Sequence, residues 1–143
     1  MTTSSEFETA AIAAMERYAQ AYSGKDLEGI MATADEDFFG YGSGPDEEVY
    51  GKEQLRAQVE RDLSQSDRIS MLLGPSHVSE KGSVAWYAGS CTVEATVSGQ
   101  DIRMEGRITA VLKKDGGRWL IAMCHFAMPF GGQEMGQSWP QAE

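Results

Sequence analysis

Gly117-Arg118-Trp119-Leu120-Ile121-Ala122-Met123-Cys124-His125-Phe126-Ala127-Met128-Pro129 is a long apolar strand that carries one histidine. It stops at proline, which has no N–H to give to a sheet ladder. Upstream of it the side chains alternate with a strand period back to Asp67, and turn signals cut the region into four strands. Ile69, Met71 and Leu73 alternate in the first, which is expected to run past Gly74-Pro75 to Val78. A second spans roughly Ser83 to Val97. Ser98-Gly99-Gln100 turns the chain into a third, and Lys114-Asp115-Gly116-Gly117 is the hairpin turn into the last. The third strand sets Ile102, Met104, Ile108, Ala110 and Leu112 on one face and Arg103, Glu105, Arg107 and Thr109 on the other. Strands this long bend, and Gly74, Gly89 and Gly106 are natural places for the bulges or kinks that curl a sheet.

The first half of the chain has a helical period instead. Ser5 followed by Glu8 fits a capping box. Phe7, Ala11, Ala14, Met15, Tyr18 and Tyr22 then mark one buried face, which Gly24 ends. Asp26 is placed to cap a shorter helix through Leu27, Ile30 and Met31, and Phe38-Phe39-Gly40-Tyr41 reads as a brief strand. Glycines 40, 42 and 44 with Pro45 make a loop. A third helix runs from about Lys52 to Leu63, with Leu55, Val59 and Leu63 as a narrow apolar stripe. Helices first and long antiparallel strands after is an α+β arrangement, with the helices confined to one face of a curved sheet around a pocket.

At 143 residues the chain has room for one domain with a real core. We expect that domain over residues 1–130, followed by a tail, 131–143, in which Phe130-Gly131-Gly132-Gln133 through Trp139-Pro140 shows no period. The tail reads as a loosely docked terminus or as a lid over the pocket mouth. Twenty-two acidic against twelve basic residues give a net charge of -10, which repels phosphate backbones and anionic lipid. No nucleic-acid or membrane partner is therefore expected. Cys91 and Cys124 each sit in an apolar strand pattern without metal-ligand spacing, so they read as small buried residues rather than a disulfide. No metal and no organic cofactor is expected. The N-terminal residues lack a basic region followed by an apolar core, which makes the cytoplasm the expected location.

These features resemble the nuclear transport factor 2-like superfamily, which includes ketosteroid isomerase, scytalone dehydratase, limonene epoxide hydrolase and the SnoaL-like polyketide cyclases. Glu16-Arg17-Tyr18-Ala19 and Gly24-Lys25-Asp26-Leu27-Glu28-Gly29-Ile30 are similar to the first helix pair of that superfamily. Gly42-Ser43-Gly44-Pro45-Asp46-Glu47, Gly51, Arg107-Ile108-Thr109 and Trp119-Leu120-Ile121 with His125 resemble a SnoaL-like subgroup. The resemblance spans Phe7 to about Pro129 and implies a cone-shaped α+β barrel, three helices packed on a curved antiparallel sheet. This fold hosts many unrelated functions.

Set beside the isomerase, Tyr18 falls where that enzyme has its oxyanion-hole tyrosine. The position of its general base falls on Gly42 and that of its second acid near Thr109, so steroid-type isomerisation has no side chain to shuttle the proton. The same comparison turns Leu120, Ala122, Cys124, Phe126 and Met128 toward the pocket. Trp119, Ile121, Met123 and His125 then take the outer face, where these folds commonly dimerise; a single bulge would reverse this beyond Ala122. It also turns Arg107 and Thr109 inward, where a guanidinium holds a carboxylate or phosphate. The alternative for Arg107 is an internal ion pair with Glu105, Glu94 or an acid of residues 46–48. Trp86 reads as a pocket wall or as ordinary core.

The resulting expectation is a homodimer whose pocket, lined by Tyr18, Tyr22, Trp86, Arg107, Thr109 and Phe126, binds a small organic molecule, with an anion favoured where Arg107 faces it. Under the enzyme alternative it is a cofactor-independent lyase, isomerase or cyclase, with Tyr18 or His125 as the acid–base group. The third alternative is an association module without chemistry, as in the nuclear transport factor itself or the calcium/calmodulin-dependent kinase II association domain.

Overall fold

In chain order the elements are α1 (Ser4–Ser23), α2 (Leu27–Ala32), β1 (Ala34–Tyr41), β2 (Glu48–Tyr50), α3 (Lys52–Ser64), β3 (Arg68–Lys81), β4 (Val84–Val97), β5 (Gln100–Asp115) and β6 (Arg118–Ala127). The computed structural model describes residues 4–141, with side chains from Glu8 onward. Ser5 of the expected capping box and Phe7 of the expected buried face therefore lie outside the described side chains. The six strands form one sheet in the order β2-β1-β6-β5-β4-β3. The class is α+β, as expected. The sheet is open, with β2 and β3 as its edges, and one of its pairings, β1 with β6, is parallel.

α1 buries Ala11, Ala14, Met15, Ala19 and Tyr22 against the sheet, the face that the helical period marked out. Its end departs from the expectation at Gly24. The left-handed residue is Lys25, at φ 52°, and the Asp26 N–H returns to the Ala21 carbonyl at 2.8 Å. The Lys25 ammonium then donates to the Ser66 carbonyl, which ties the α1–α2 corner to the end of α3. Asp26 caps α2 by accepting the Gly29 N–H at 3.0 Å.

Two register breaks shape the sheet. Between Leu73 and Ser76 the β3–β4 ladder sets Gly74 and Pro75 against the single residue Ser90, next to Gly89, where a Cβ would stand 3.0 Å from the Pro75 carbonyl oxygen. In the β5–β6 ladder Val111 pairs with Met123 and Leu112 with Ile121, so Ala122 is the extra residue of a bulge. A bulge exchanges the faces. Trp119 and Ile121 before it, and Cys124 and Phe126 after it, all point to the helix side. The inward set is therefore even-numbered only beyond Ala122, which corrects the placement of Trp119 and Ile121 on the outer face.

β5 corrects a second expectation. Ile108, Ala110 and Leu112 are buried on the inner face at 1%, 2% and 0% exposure, and Arg107 and Thr109, which alternate with them, are exposed on the outer one. The physical reason is elementary: three fully buried apolar side chains on alternate positions outweigh whatever one guanidinium gains from a dry site.

Candidate ligand-binding cavity

Between the inner face of the sheet and helices α1 and α3 lies a cavity of about 370 Å³. Ile69 and Met71 of β3, Val93, Ala95 and Val97 of β4, Met104 of β5 and Phe126 of β6 form its apolar wall. Phe126 finds room because Gly106 stands beside it; a Cβ there would sit 2.8 Å from the ring. Opposite this wall the polar groups converge. Tyr18 and Tyr22 project from consecutive turns of α1, with ring centroids 5.2 Å apart and edge to face. The Tyr22 hydroxyl donates to Asp62 Oδ2 at 3.0 Å, and Gln58 Nε2 donates to Asp62 Oδ1 at 2.8 Å. The Tyr18 hydroxyl lies within hydrogen-bonding reach of the Tyr22 oxygen and the Cys124 thiol.

Burial sets the protonation of this cluster. It raises both tyrosine hydroxyls well above the usual phenol range, with the Asp62 carboxylate adding to the rise of Tyr22. Burial also lifts the Asp62 carboxyl above the usual Asp range, against the pull of its hydrogen bonds from Gln58 and Tyr22. The Cys124 thiol is pushed up to about 12 and that of Cys91 to about 11, so both are protonated at neutral pH and neither is a nucleophile.

The raised carboxyl has a consequence for stability. The folded protein keeps a proton that the unfolded chain releases first, so the stabilisation attached to that proton is complete in acid below the ordinary Asp value. It is lost as pH rises through the folded value. We expect Asp62→Asn to unfold at higher temperature than the parent near neutral pH, with the difference closing as pH falls into the ordinary carboxylate range. Thermal melts across pH check this, and an Asn variant less stable at neutral pH would contradict it.

The rim of the cavity is the 42–47 loop. The Gly42 N–H donates to the Glu47 carbonyl at 2.9 Å, and the Gly44 N–H to the Glu47 carboxylate. Arg61 of α3 fastens this loop by two bonds to Asp46, at 2.7 and 3.2 Å, and lies 3.6 Å from Glu47. A second depression, about 420 Å³ and more open, lies between α2 and α3 and is lined by Glu28, Met31, Lys52 and Arg56; a Glu28–Arg56 ion pair spans it. Among the described residues no group of three or more His, Cys, Asp or Glu is arranged to hold a metal ion, and no helix is long and apolar enough to cross a membrane.

Of the six residues expected to line the pocket, the structure brings together Tyr18, Tyr22 and Phe126. Trp86, 49% exposed, lies with Arg107 and Thr109 on the opposite face of the sheet. His125 is on that face too, paired with Thr109 and stacked edge-on against Tyr41 at 5.7 Å, which removes it from any chemistry inside the cavity. Glu94 and Glu105, offered as partners for Arg107, pair with Arg103 instead. The residues that sequence reasoning missed are Gln58 and Asp62. Their signal was present: Leu55, Gln58, Val59 and Asp62 follow the i, i+3, i+4, i+7 spacing of one helix face, so two polar side chains sit on the buried stripe of α3.

The sequence model of the SnoaL-like domain family matches residues 12–131, and the chain belongs to that family. No curated protein matches its sequence. Its fold is similar to that of solved proteins of the nuclear transport factor 2-like superfamily. A member of that superfamily from Salmonella enterica serovar Typhimurium superimposes with a TM-score of 0.82 at 16% identity, over 96% of this chain and 100% of that one. A candidate scytalone dehydratase from Novosphingobium aromaticivorans gives 0.79 at 14% identity, over 95% of each chain. A candidate calcium/calmodulin-dependent protein kinase II association domain from Xanthomonas campestris gives 0.74 at 23%, over 85% of this chain and 86% of that one. At these identities the likeness is one of fold.

Proposed function

We propose that this protein binds a small organic molecule in the cavity between α1, α3 and the sheet. The observation that carries the reading is the cavity itself: about 370 Å³ with an apolar wall and four convergent polar side chains, Tyr18, Tyr22, Gln58 and Asp62, the usual make-up of a small-molecule site. The reason for expecting an anion leaves with Arg107, because among the described residues no Lys, Arg or His lines this space. A fragment screen read by thermal shift tests the proposal. Hits that raise the melting temperature of the parent and lose affinity in Tyr18→Phe support it, and hits indifferent to every cavity substitution contradict it.

The raised Asp62 carboxyl supports a second reading, a cofactor-independent lyase, isomerase or cyclase. In it Asp62, in contact with Tyr22, takes or gives the proton, and Tyr18 donates to an oxygen that becomes negative. His125 has no part in this version. Turnover of a substrate found by the screen should fall in Asp62→Asn and Tyr18→Phe alike.

Phe39, Tyr41, Tyr50 and Trp86, between 44% and 53% exposed on the outer face, support pairing of two copies through their sheets. The domain proposed over residues 1–130 then presents one cavity per copy.

A further inference from the structure

We infer that the cavity prefers an organic cation, a protonated amine on an apolar body, with Asp62 as its counter-ion. The inference rests on the ligand-binding reading above and narrows it to a substrate class.

The argument is one of charge balance in a confined space. Among the described residues two carboxylates, Asp62 and Glu47, line the cavity, and no side chain with a positive charge does. Glu47 is already engaged, by the Gly44 N–H on one oxygen and by Arg61 near the other. Asp62 is different. Each of its oxygens accepts one hydrogen bond, and both donors, Tyr22 and Gln58, are neutral. A carboxylate oxygen has a second acceptor site, so the group is oriented but not neutralised.

Arg61 and Lys25, which do not themselves line the cavity, are already engaged. Arg61 is held by its two bonds to Asp46, and Lys25 by the Ser66 carbonyl. A partly buried carboxylate without a cationic partner is costly, and an ammonium delivered by the ligand supplies that partner. The ring of Tyr18 and the ring of Phe126 lie among the lining residues, suited to the face of a cation or the body of an aromatic amine. Carboxylates and phosphates would meet two negative groups and no positive one. The net charge of -10 acts in the same sense on approach.

The groups facing Asp62 fix how binding follows pH. Tyr18 and Tyr22 of α1 stay neutral, Glu47 of the rim opposes ionisation, Arg61 on its own helix favours it, and the sheet side presents the protonated Cys124 thiol beside apolar side chains such as Ile69, Met71, Val93, Met104 and Phe126. A bound ammonium requires the carboxylate. Affinity for an amine therefore rises with pH as Asp62 ionises, and falls again where the amine itself, with a pKa of about 10, loses its proton.

Three probes of one shape test this: naphthylethylamine, naphthylethanol and naphthylacetate, titrated by their fluorescence from about pH 4 to about pH 8. The amine should bind about tenfold or more tighter than the alcohol, as a charge-assisted hydrogen bond exceeds a neutral one, and the acetate more weakly than the alcohol. Asp62→Asn should bring amine and alcohol to equal affinity and abolish the pH dependence. The pH profile of the parent alone decides the matter if the variant fails to fold. Acetate binding as tight as the amine, an amine preference that survives in Asp62→Asn, or no binding of any of the three would overturn the inference. Cavity hits from the wider screen that carry no positive charge and ignore Asp62 would overturn it while leaving the ligand-binding reading intact.

Discussion

Gly40→Ala is expected to lower the unfolding free energy by about 3 kcal/mol, the upper part of the range for overpacking a rigid site, and the melting temperature by about 10 °C. Gly40 sits where β1 runs parallel to β6, paired with Cys124, and a Cβ at this position would stand 2.1 Å from the Cys124 carbonyl oxygen. The obstacle is backbone, so no rotamer change relieves it. The chain must either part β1 from β6 or shift β6, and β6 carries Cys124 and Phe126 into the cavity. Gly131→Ala, where the added carbon meets nothing within 4 Å, is the matched control and should leave the melt unchanged. Equal melts for the two variants would mean that β1 and β6 are not so closely apposed.

Ala95→Trp has the largest expected effect on binding. Ala95 lies on the cavity wall in the middle of the β4 segment that pairs with Ile69 of β3 and Ile102 of β5, so an indole there points into the empty space. Affinity for any cavity ligand should fall more than about a hundredfold, which corresponds to about 2.7 kcal/mol. Stability should hold or rise, because the new side chain fills apolar volume without displacing packed atoms. Trp86→Ala, on the other face of the same strand, should leave affinity within about twofold. If Trp86→Ala abolishes binding and Ala95→Trp does not, the ligand sits on the outer face.

What the sequence made legible follows from period and turn chemistry. The four long strands and three helices were readable because alternation persists over many residues and Ser98-Gly99 and Gly116-Gly117 mark the reversals. β2 is only Glu48–Tyr50, too short to show a period, and β1 extends back to Ala34 through Asp35, Glu36 and Asp37, residues that do not read as strand. Asp35 is tolerated there because it is paired with Lys113 at 3.3 Å, a partner 78 residues away that no local pattern reveals.

The site was legible in part. Tyr18 and Tyr22 lie on the helix face that the pattern defined, and Phe126 was turned toward the pocket by the comparison with the isomerase. The two sides of β6 depended on phase, which is decided there by a single inserted residue, Ala122, whose neighbours look no different from an unbroken strand. β4 and β5 pair without a break, and for Trp86, Arg107 and Thr109 alternation alone does not say which face of those strands meets the helices. Asp62 was hidden for another reason. A carboxylate on a helix otherwise rich in charge reads as solvated until the opposing sheet shows that its face is covered.

The eight methionines offer the most direct check of the central claim, that a ligand enters the cavity between helices and sheet. With methyl-labelled methionine, the resonances of Met71 and Met104, which line the cavity, should move on addition of a bound ligand. Those of Met123 on the outer face and of fully exposed Met135 should stay in place. Shifts confined to Met123, with Met71 and Met104 unmoved by a ligand that demonstrably binds, would contradict the account.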